Sequence, residues 1–361
     1  MELIIKGRYD DAFAHMLLVG LASIVEDADP QRICELRWRD RDHAALCTSD
    51  DLTWEDCVAI VHDHAARWLA SKWLNAKGAY DRSGSSVRAT LSPRLGMPKP
   101  REGWTLLHHD REQAIDALLT PLDHRYIGSL GEPSYWSGDV ASNQYDPDRG
   151  ASLWEMVTRN KGQEFISGRL LPLAKAVAER SVEAVESGLR GETVNDEVGK
   201  NEPDSRTPTG LHRPFPTDNA QAWCALFGVS AFPVIRSVST ARGNTASFFT
   251  VARAVYTALP IWDEPWTVRR YASVVRSRAL TVVGCHGAIA SVPGKLRSDT
   301  GWKSEEMLTS TEIRRGERWL YERGVRCCML FARHATAVKV PELWLQRGEP
   351  ILLGEKGFGD A

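Results

Sequence analysis

The stretch LIIKGRYDDAFAHMLLVGLASIV, Leu3 to Val25, reads as a strand that turns directly into a helix. Leu3 to Tyr9 predicts a short strand, with Gly7 a candidate bulge. Asp10 or Asp11 then caps a helix to about Val25, with Phe13, Met16, Leu17 and Leu21 on one face. Asp29-Pro30 stops it, because a residue before proline is pushed out of helical geometry. Outward from this stretch, Arg32 to Trp38 and Ala44 to Thr48 predict a hairpin around the charged turn Arg39-Asp40-Arg41-Asp42. Thr53, with Asp56 three residues on, caps a long helix to about Leu74. Strand, helix, hairpin and helix in that order indicate an α+β fold: antiparallel sheets with helices packed on one face.

The 361 residues predict two domains, each with its own core. We place an N-terminal α+β domain at 1–187 and a linker or functional loop at 188–219, which has four prolines. A second α+β domain follows at 220–361. The segment Asn75 to Arg101 reads as a long exposed loop carrying Lys77, Arg82, Arg88, Arg94, Lys99 and Arg101 against Asp81. A helix is expected at Asp110 to Leu119, loop from Pro121 to Gly150, and a helix at Glu164 to Ser187 kinked at Pro172. Beyond 219, helices are expected at Ala220 to Phe227, Thr267 to Leu280 and from Ser304 to about Glu322. Strands are expected at Phe232 to Ser239, Ser247 to Leu259, Val325 to Phe331 and Ala337 to Leu345.

No apolar run approaches the length needed to span a bilayer, and the N-terminus lacks the pattern of a signal peptide. A cytoplasmic protein is expected. The seven cysteines are irregularly spaced and contain no Cys-x-x-Cys. Cys34 and Cys47 could face each other across the hairpin, or sit in the core as two small apolar residues. The neighbours Cys327 and Cys328 point to opposite faces of a strand, a poor arrangement for zinc. The thirteen tryptophans suit core and interface positions, or base stacking.

Charge is segregated. Between Asn219 and Trp262 there is no Asp or Glu. From Asn219 to Lys303 ten basic residues meet three acids, a surplus of seven in a chain of net charge −2. Clustered Lys and Arg displace counterions from a polyanion, so the region predicts nucleic-acid contact; solvated surface charge is the alternative. In a helix, Arg269 and Arg276 would lie two turns apart on one face, with Arg270 one position round. Arg236, Arg242 and Arg278 extend the candidate patch, and Arg94 and Lys99 add the earlier loop. Between Lys200 and Asn219, Arg206 and Arg213 stand among short donors that can position a phosphate–sugar backbone or satisfy the loop itself.

Catalytic signals are weak. His62 and His64 lie about 200° apart on a helix and cannot chelate one ion together. His108-His109-Asp110 has the look of a metal-dependent phosphohydrolase pair, but Asp110 with Gln113 also fits a capping box. Gly284-Cys285-His286-Gly287 reads as a tight turn. No phosphate-binding Gly-rich loop or nucleophile elbow is present. No enzyme activity, cofactor or metal is expected.

Asp204-Ser205-Arg206-Thr207-Pro208-Thr209-Gly210-Leu211, Asp218 to Val229, Phe232-Pro233, and the later Leu259-Pro260-Ile261-Trp262-Asp263-Glu264-Pro265-Trp266 resemble a segment of CRISPR effector subunits of the type I-U group, also called I-G. The strand, helix and hairpin at the N-terminus are similar in layout to the large subunit of those systems. The resemblance is best from Asp204 to Val275. It implies a non-catalytic subunit of a Cascade-type complex that contacts guide RNA or target DNA and the PAM. The implied partners are other Cascade subunits and a helicase–nuclease. Two alternatives stand beside it: a stand-alone metal-dependent phosphohydrolase or nuclease using His109 and Asp110, and a scaffold that binds only proteins.

Overall fold

In a computed structural model of the chain, residues 2–81, 83–84, 86–92, 95, 102–131, 152, 154, 165–232, 248–252, 254–291, 308–338 and 342–353 are described. The chain opens with strand β1 (Glu2–Lys6) and helix α1 (Ala12–Ala28). Asp11, not Asp10, caps α1 by accepting from the Phe13 N–H at 3.0 Å. The hairpin β2 (Cys34–Trp38) and β3 (His43–Thr48) follows as expected, and Thr53 and Asp56 form the capping box of α2 (Trp54–Leu69). The long helix expected to Leu74 breaks at Ser71, which caps a separate turn, α3 (Lys72–Asn75).

The loop expected at 75–101 contains a small hairpin, β4 (Lys77–Ala79) with β5 (Val87–Ala89). Helix α4 (Glu102–Asp116) begins eight residues before Asp110, so Asp110 lies mid-helix and caps nothing. Thr120, Pro121 and Asp123 start α5 (Pro121–Leu130) with a second capping box, in a stretch expected to be loop. The single kinked helix expected at 164–187 is a π-turn at Ile166–Leu170, then α6 (Leu171–Glu179) and α7 (Val182–Leu189), separated where Ser181 restarts the helix. Pro172 follows the π-turn directly, inside a helical run that is unbroken from Phe165 to Glu179.

The second half begins with α8 (Asn219–Phe227) and a 3₁₀ turn at Gly228–Ala231. It continues as β6 (Phe248–Val251), β7 (Ala254–Trp262), β8 (Trp266–Thr267), α9 (Val268–Val275), α10 (Arg278–Ser291), α11 (Ser310–Tyr321), β9 (Val325–Ala335), β10 (Leu343–Leu345) and β11 (Glu349–Leu352). Gly284-Cys285-His286-Gly287 lies inside α10, not at a turn; its glycines admit Ala258, Phe249 and Ile351 at close range. Most of the strand expected at 232–239 lies outside the described residues.

The fold is α+β, as the sequence predicts, with antiparallel sheets and packed helices. One sheet runs β1-β3-β2-β8, so a strand from residue 266 onward completes a sheet begun at residue 2. The other runs β10-β9-β7-β6, with β11 also on β9. Trp262 joins the two sheets: its indole N–H donates to the Leu36 carbonyl at 2.7 Å, and its ring stacks on Trp266 at 4.7 Å. Against the first sheet lies α1, with fourteen consecutive buried residues, Ala12 to Val25. A helix apolar all round must be covered all round, and α8 supplies part of the cover. A methyl at Gly20 would lie 1.8 Å from the Cys224 carbonyl oxygen, so only glycine permits this approach. One apolar cluster runs through both halves of the chain.

Six tryptophans, at 68, 73, 154, 223, 262 and 266, are fully buried. Cys34 opposes Thr48, and Cys47 opposes Glu35, so the two thiols project from opposite faces and do not meet. No described helix is long and apolar enough to cross a membrane.

Candidate nucleic-acid interface

The arginines that the sequence groups together are dispersed by the fold. Arg206 pairs with Glu342 and ties the 200–217 loop to the strand that begins beyond it. Helix α9 ends at Val275, so Arg276 does not continue the face of Arg269. Its Nε donates instead to the Ala231 carbonyl at 2.8 Å, capping the 3₁₀ turn. Arg270 lies over the Trp266 ring and donates to the Arg323 carbonyl at 2.6 Å. Arg278 meets Glu312 at 3.4 Å on the surface. Arg269 stays exposed beside Glu26, whose carboxyl is raised by burial and pulled back by the Cys34 N–H and by the charges of Arg125 and Arg269. Arg94, Lys99, Arg236 and Arg242 lie outside the described residues.

Arg213 belongs to a different surface, built from four distant segments. Its centre is Asp10, at the end of β1. The Arg8 Nε and Nη2 donate to its two oxygens at 2.8 and 2.6 Å, Arg41 Nη2 reaches it at 3.2 Å, and Arg347 Nη1 at 3.3 Å. Backbone bonds bring these segments together: Tyr9 N–H to the Arg41 carbonyl, and Gly348 N–H to the Asp10 carbonyl. The Asp10 side chain is 10% exposed, whereas those of Arg8, Arg41 and Arg347 are 41%, 59% and 58% exposed. The carboxylate lies beneath, and the guanidinium edges face outward. The hydrogen bond from Arg8, with help from Arg41 and Arg347, draws the Asp10 carboxyl down to about 2 against the opposing effect of burial.

Next to this ring is a groove of about 560 Å³. One side is the loop carrying His212, Arg213 and Phe215; the other is the cross-strand pair His334 and Trp344 of β9 and β10. Asp11 and Arg347 line the groove where it meets the ring. The His334 and Trp344 rings lie 4.3 Å apart at 36°, and both residues are half-buried. Phe215 is 45% exposed and packs edge-on against His212, which itself stacks on Phe13 at 4.9 Å. His212 Nδ1 sits 3.4 Å from Asp11 Oδ2, and Arg347 Nη1 sits 3.1 Å from the same oxygen. Burial pushes the Asp11 carboxyl up, but His212, Arg347 and the Phe13 N–H outweigh it and hold the carboxyl below its usual range.

The loop is held rigid from below. Buried Asp196 accepts from the Ser205 and Thr207 hydroxyls, the Gly199 and Thr217 N–H groups and the Asn219 amide. Burial alone would raise its pKa, and these donors bring it below the usual value. Ser205, Thr207 and Asn219, legible in the sequence as possible backbone contacts, spend these bonds inside the protein. The Leu345 N–H donates to the Gly210 carbonyl at 2.8 Å and fixes β10 against the loop.

Among the described residues, Asp27, His64 and Asp123 bring possible metal-ligand atoms within 4.8 Å of one another. Both carboxylates are already committed, and only His64 Nε2 has no hydrogen-bond partner. Arg67 bridges both carboxylates, at 3.2 and 2.9 Å, and the Trp68 indole N–H donates to Asp123. Burial holds His64 neutral, and a neutral imidazole has one free lone pair; Trp223 N–H takes it at Nδ1, 3.2 Å away. Arg67 supplies the positive charge that a cation would bring to the two carboxylates, which suits a structural network. The pair His109 and Asp110 is also divided, with His109 beside Gln113 and Asp110 accepting from the Tyr80 hydroxyl at 2.8 Å.

Arg8, Arg41, Arg347, Phe215, His334 and Trp344 escape a reading along the sequence. Arg8, Arg41 and Arg347 each stand within three residues of an acid, so a running charge count cancels them. No protein-family profile, curated protein or solved structure matches the chain.

Proposed function

We propose that the chain is a non-catalytic nucleic-acid-binding subunit of an RNA-guided CRISPR interference complex of the Cascade type, as the type I-U resemblance implies. One observation carries the binding half of this reading: an outward-facing arginine ring on Asp10, continuous with a groove lined by Arg213, the half-buried Trp344 and the exposed Phe215. Arginine supplies phosphate contacts and aromatic rings supply stacking, the two interactions from which sequence-tolerant strand binding is assembled. Guide RNA or target DNA is the proposed ligand, other Cascade subunits and a helicase–nuclease the proposed partners. Exposed Arg269 beside Arg125 is a second, smaller basic surface for the same backbone.

The test is oligonucleotide affinity as a function of salt. Binding should fall steeply with ionic strength, and the Arg41→Glu/Arg213→Glu double variant should lose at least about tenfold in affinity and lower the salt slope by about two. A double variant that binds as the wild type would remove this surface from the reading. Recovery of the tagged protein from its host with a uniform short RNA supports the Cascade assignment. Recovery with neither RNA nor partner subunits overturns it.

A further inference from the structure

Resting on the nucleic-acid reading, we infer that the groove between the 211–217 loop and the β9–β10 hairpin holds an unstacked nucleobase with its phosphate, so that the chain prefers a single strand to a duplex. Three features lead there. The first is concavity. Proteins that read duplex DNA push a helix or ribbon outward into a groove, whereas this surface is a recess of about 560 Å³. That volume lies within the roughly 300–1,000 Å³ typical of sites for small molecules and cofactors.

The second is the support behind the rings. Trp344 rests on His334, and Phe215 abuts His212, which rests on Phe13. Each of these groove-lining rings is therefore oriented before any ligand arrives, which lowers the ordering cost of stacking. A base inside a duplex has both faces covered by its neighbours. Only an unpaired, splayed base can present a face to such a ring.

The third is where the charge lies. Arg213 and Arg347 line the groove itself, and the Asp10-centred ring continues from Arg347, so a strand leaving the groove passes over further guanidiniums. The same base-plus-phosphate chemistry could come from a strand or from a free mononucleotide, and the experiment separates them.

The probes are a fluorescein-labelled 12-nucleotide RNA, the same sequence as a duplex, and unlabelled AMP as competitor, each with the full-length chain. The wild type should prefer the single strand, and millimolar AMP should displace it poorly. Trp344→Ala should weaken single-strand binding about tenfold, the effect expected for one lost stacking platform, and leave duplex binding and the salt slope unchanged. Trp344→Phe should restore most of the loss. His334→Ala provides an independent change on the opposite face of the ring, with a smaller loss in the same direction. Equal losses for single strand and duplex, or none in Trp344→Ala, would overturn the groove assignment while leaving the nucleic-acid reading intact. AMP competing as well as the 12-mer would make the ligand a free nucleotide and overturn the strand. A wild type that binds neither oligonucleotide would remove the nucleic-acid reading itself.

Discussion

Asp10 does more for the candidate interface than any arginine in it. Guanidiniums repel one another, and three converge here because recessed Asp10 meets all of them, with Asp11 also on Arg347 and Asp42 near Arg8. Its depressed pKa states what that is worth. A carboxyl ionising at about 2 in the folded chain against an ordinary 3.8 contributes about 2 kcal/mol at neutral pH. The contribution is complete above about pH 4 and is lost as the pH falls through about 2, because the unfolded chain takes up the proton first. Asp10→Asn should therefore lower the urea midpoint at pH 7, with the gap to the wild type narrowing below about pH 4. An equal gap at pH 7 and pH 3 would mean that the variant acts through packing alone. Reading the residues one by one, the sequence discloses Asp10 and Asp11 as cap candidates, and Asp11 takes that role. It does not disclose that the neighbouring carboxylate, freed from capping, becomes an anchor for Arg41 and Arg347, which approach it from other parts of the chain.

At the level of elements, legibility follows the range of the interactions that make each one. The hairpin β2–β3 and the cap of α2 rest on neighbours within a few residues, and both are visible in the sequence. The cap of α5 is equally local, in Thr120, Pro121 and Asp123, within a stretch that reads as loop along the sequence. The expected helix Thr267 to Leu280 breaks between Val275 and Arg278, where Arg276 reaches a carbonyl 45 residues away and the Ser277 hydroxyl accepts from the Leu280 N–H to start a new helix. The loop from 190 to 217 has a composition that suits a linker, yet it is an ordered element around Asp196. Removing that carboxylate leaves two hydroxyls, two N–H groups and an amide without their acceptor in a dry site. We expect Asp196→Ala to cost about 3 kcal/mol or more and to expose the 199–217 segment to limited proteolysis, with Arg213 and Phe215 losing their fixed positions. Unchanged protease resistance in that segment would show that the loop is held chiefly by its other contacts.

At the scale of the molecule, the two halves meet where backbones nearly touch. Gly20 on α1 faces the Cys224 carbonyl, and Gly228 faces Met16. Gly20→Ala places a methyl against backbone that cannot step aside without moving α8, so we expect a loss of about 3 kcal/mol. Because the apolar cluster and the β2–β8 pairing cross this contact, the loss should appear as a lower urea midpoint for the whole tryptophan signal in one transition. A variant that melts in two separated steps would place the contact at a weak seam. The burial of α1 also has a bearing on how the protein is made. The helix is complete by Ala28, and part of its cover, α8, begins only at Asn219. A ribosome therefore releases α1 with β2, β3 and α2 to pack on it long before α8, which completes its cover, has been synthesised. A product terminated before residue 219 should leave the side of α1 that meets α8 bare and be prone to aggregate.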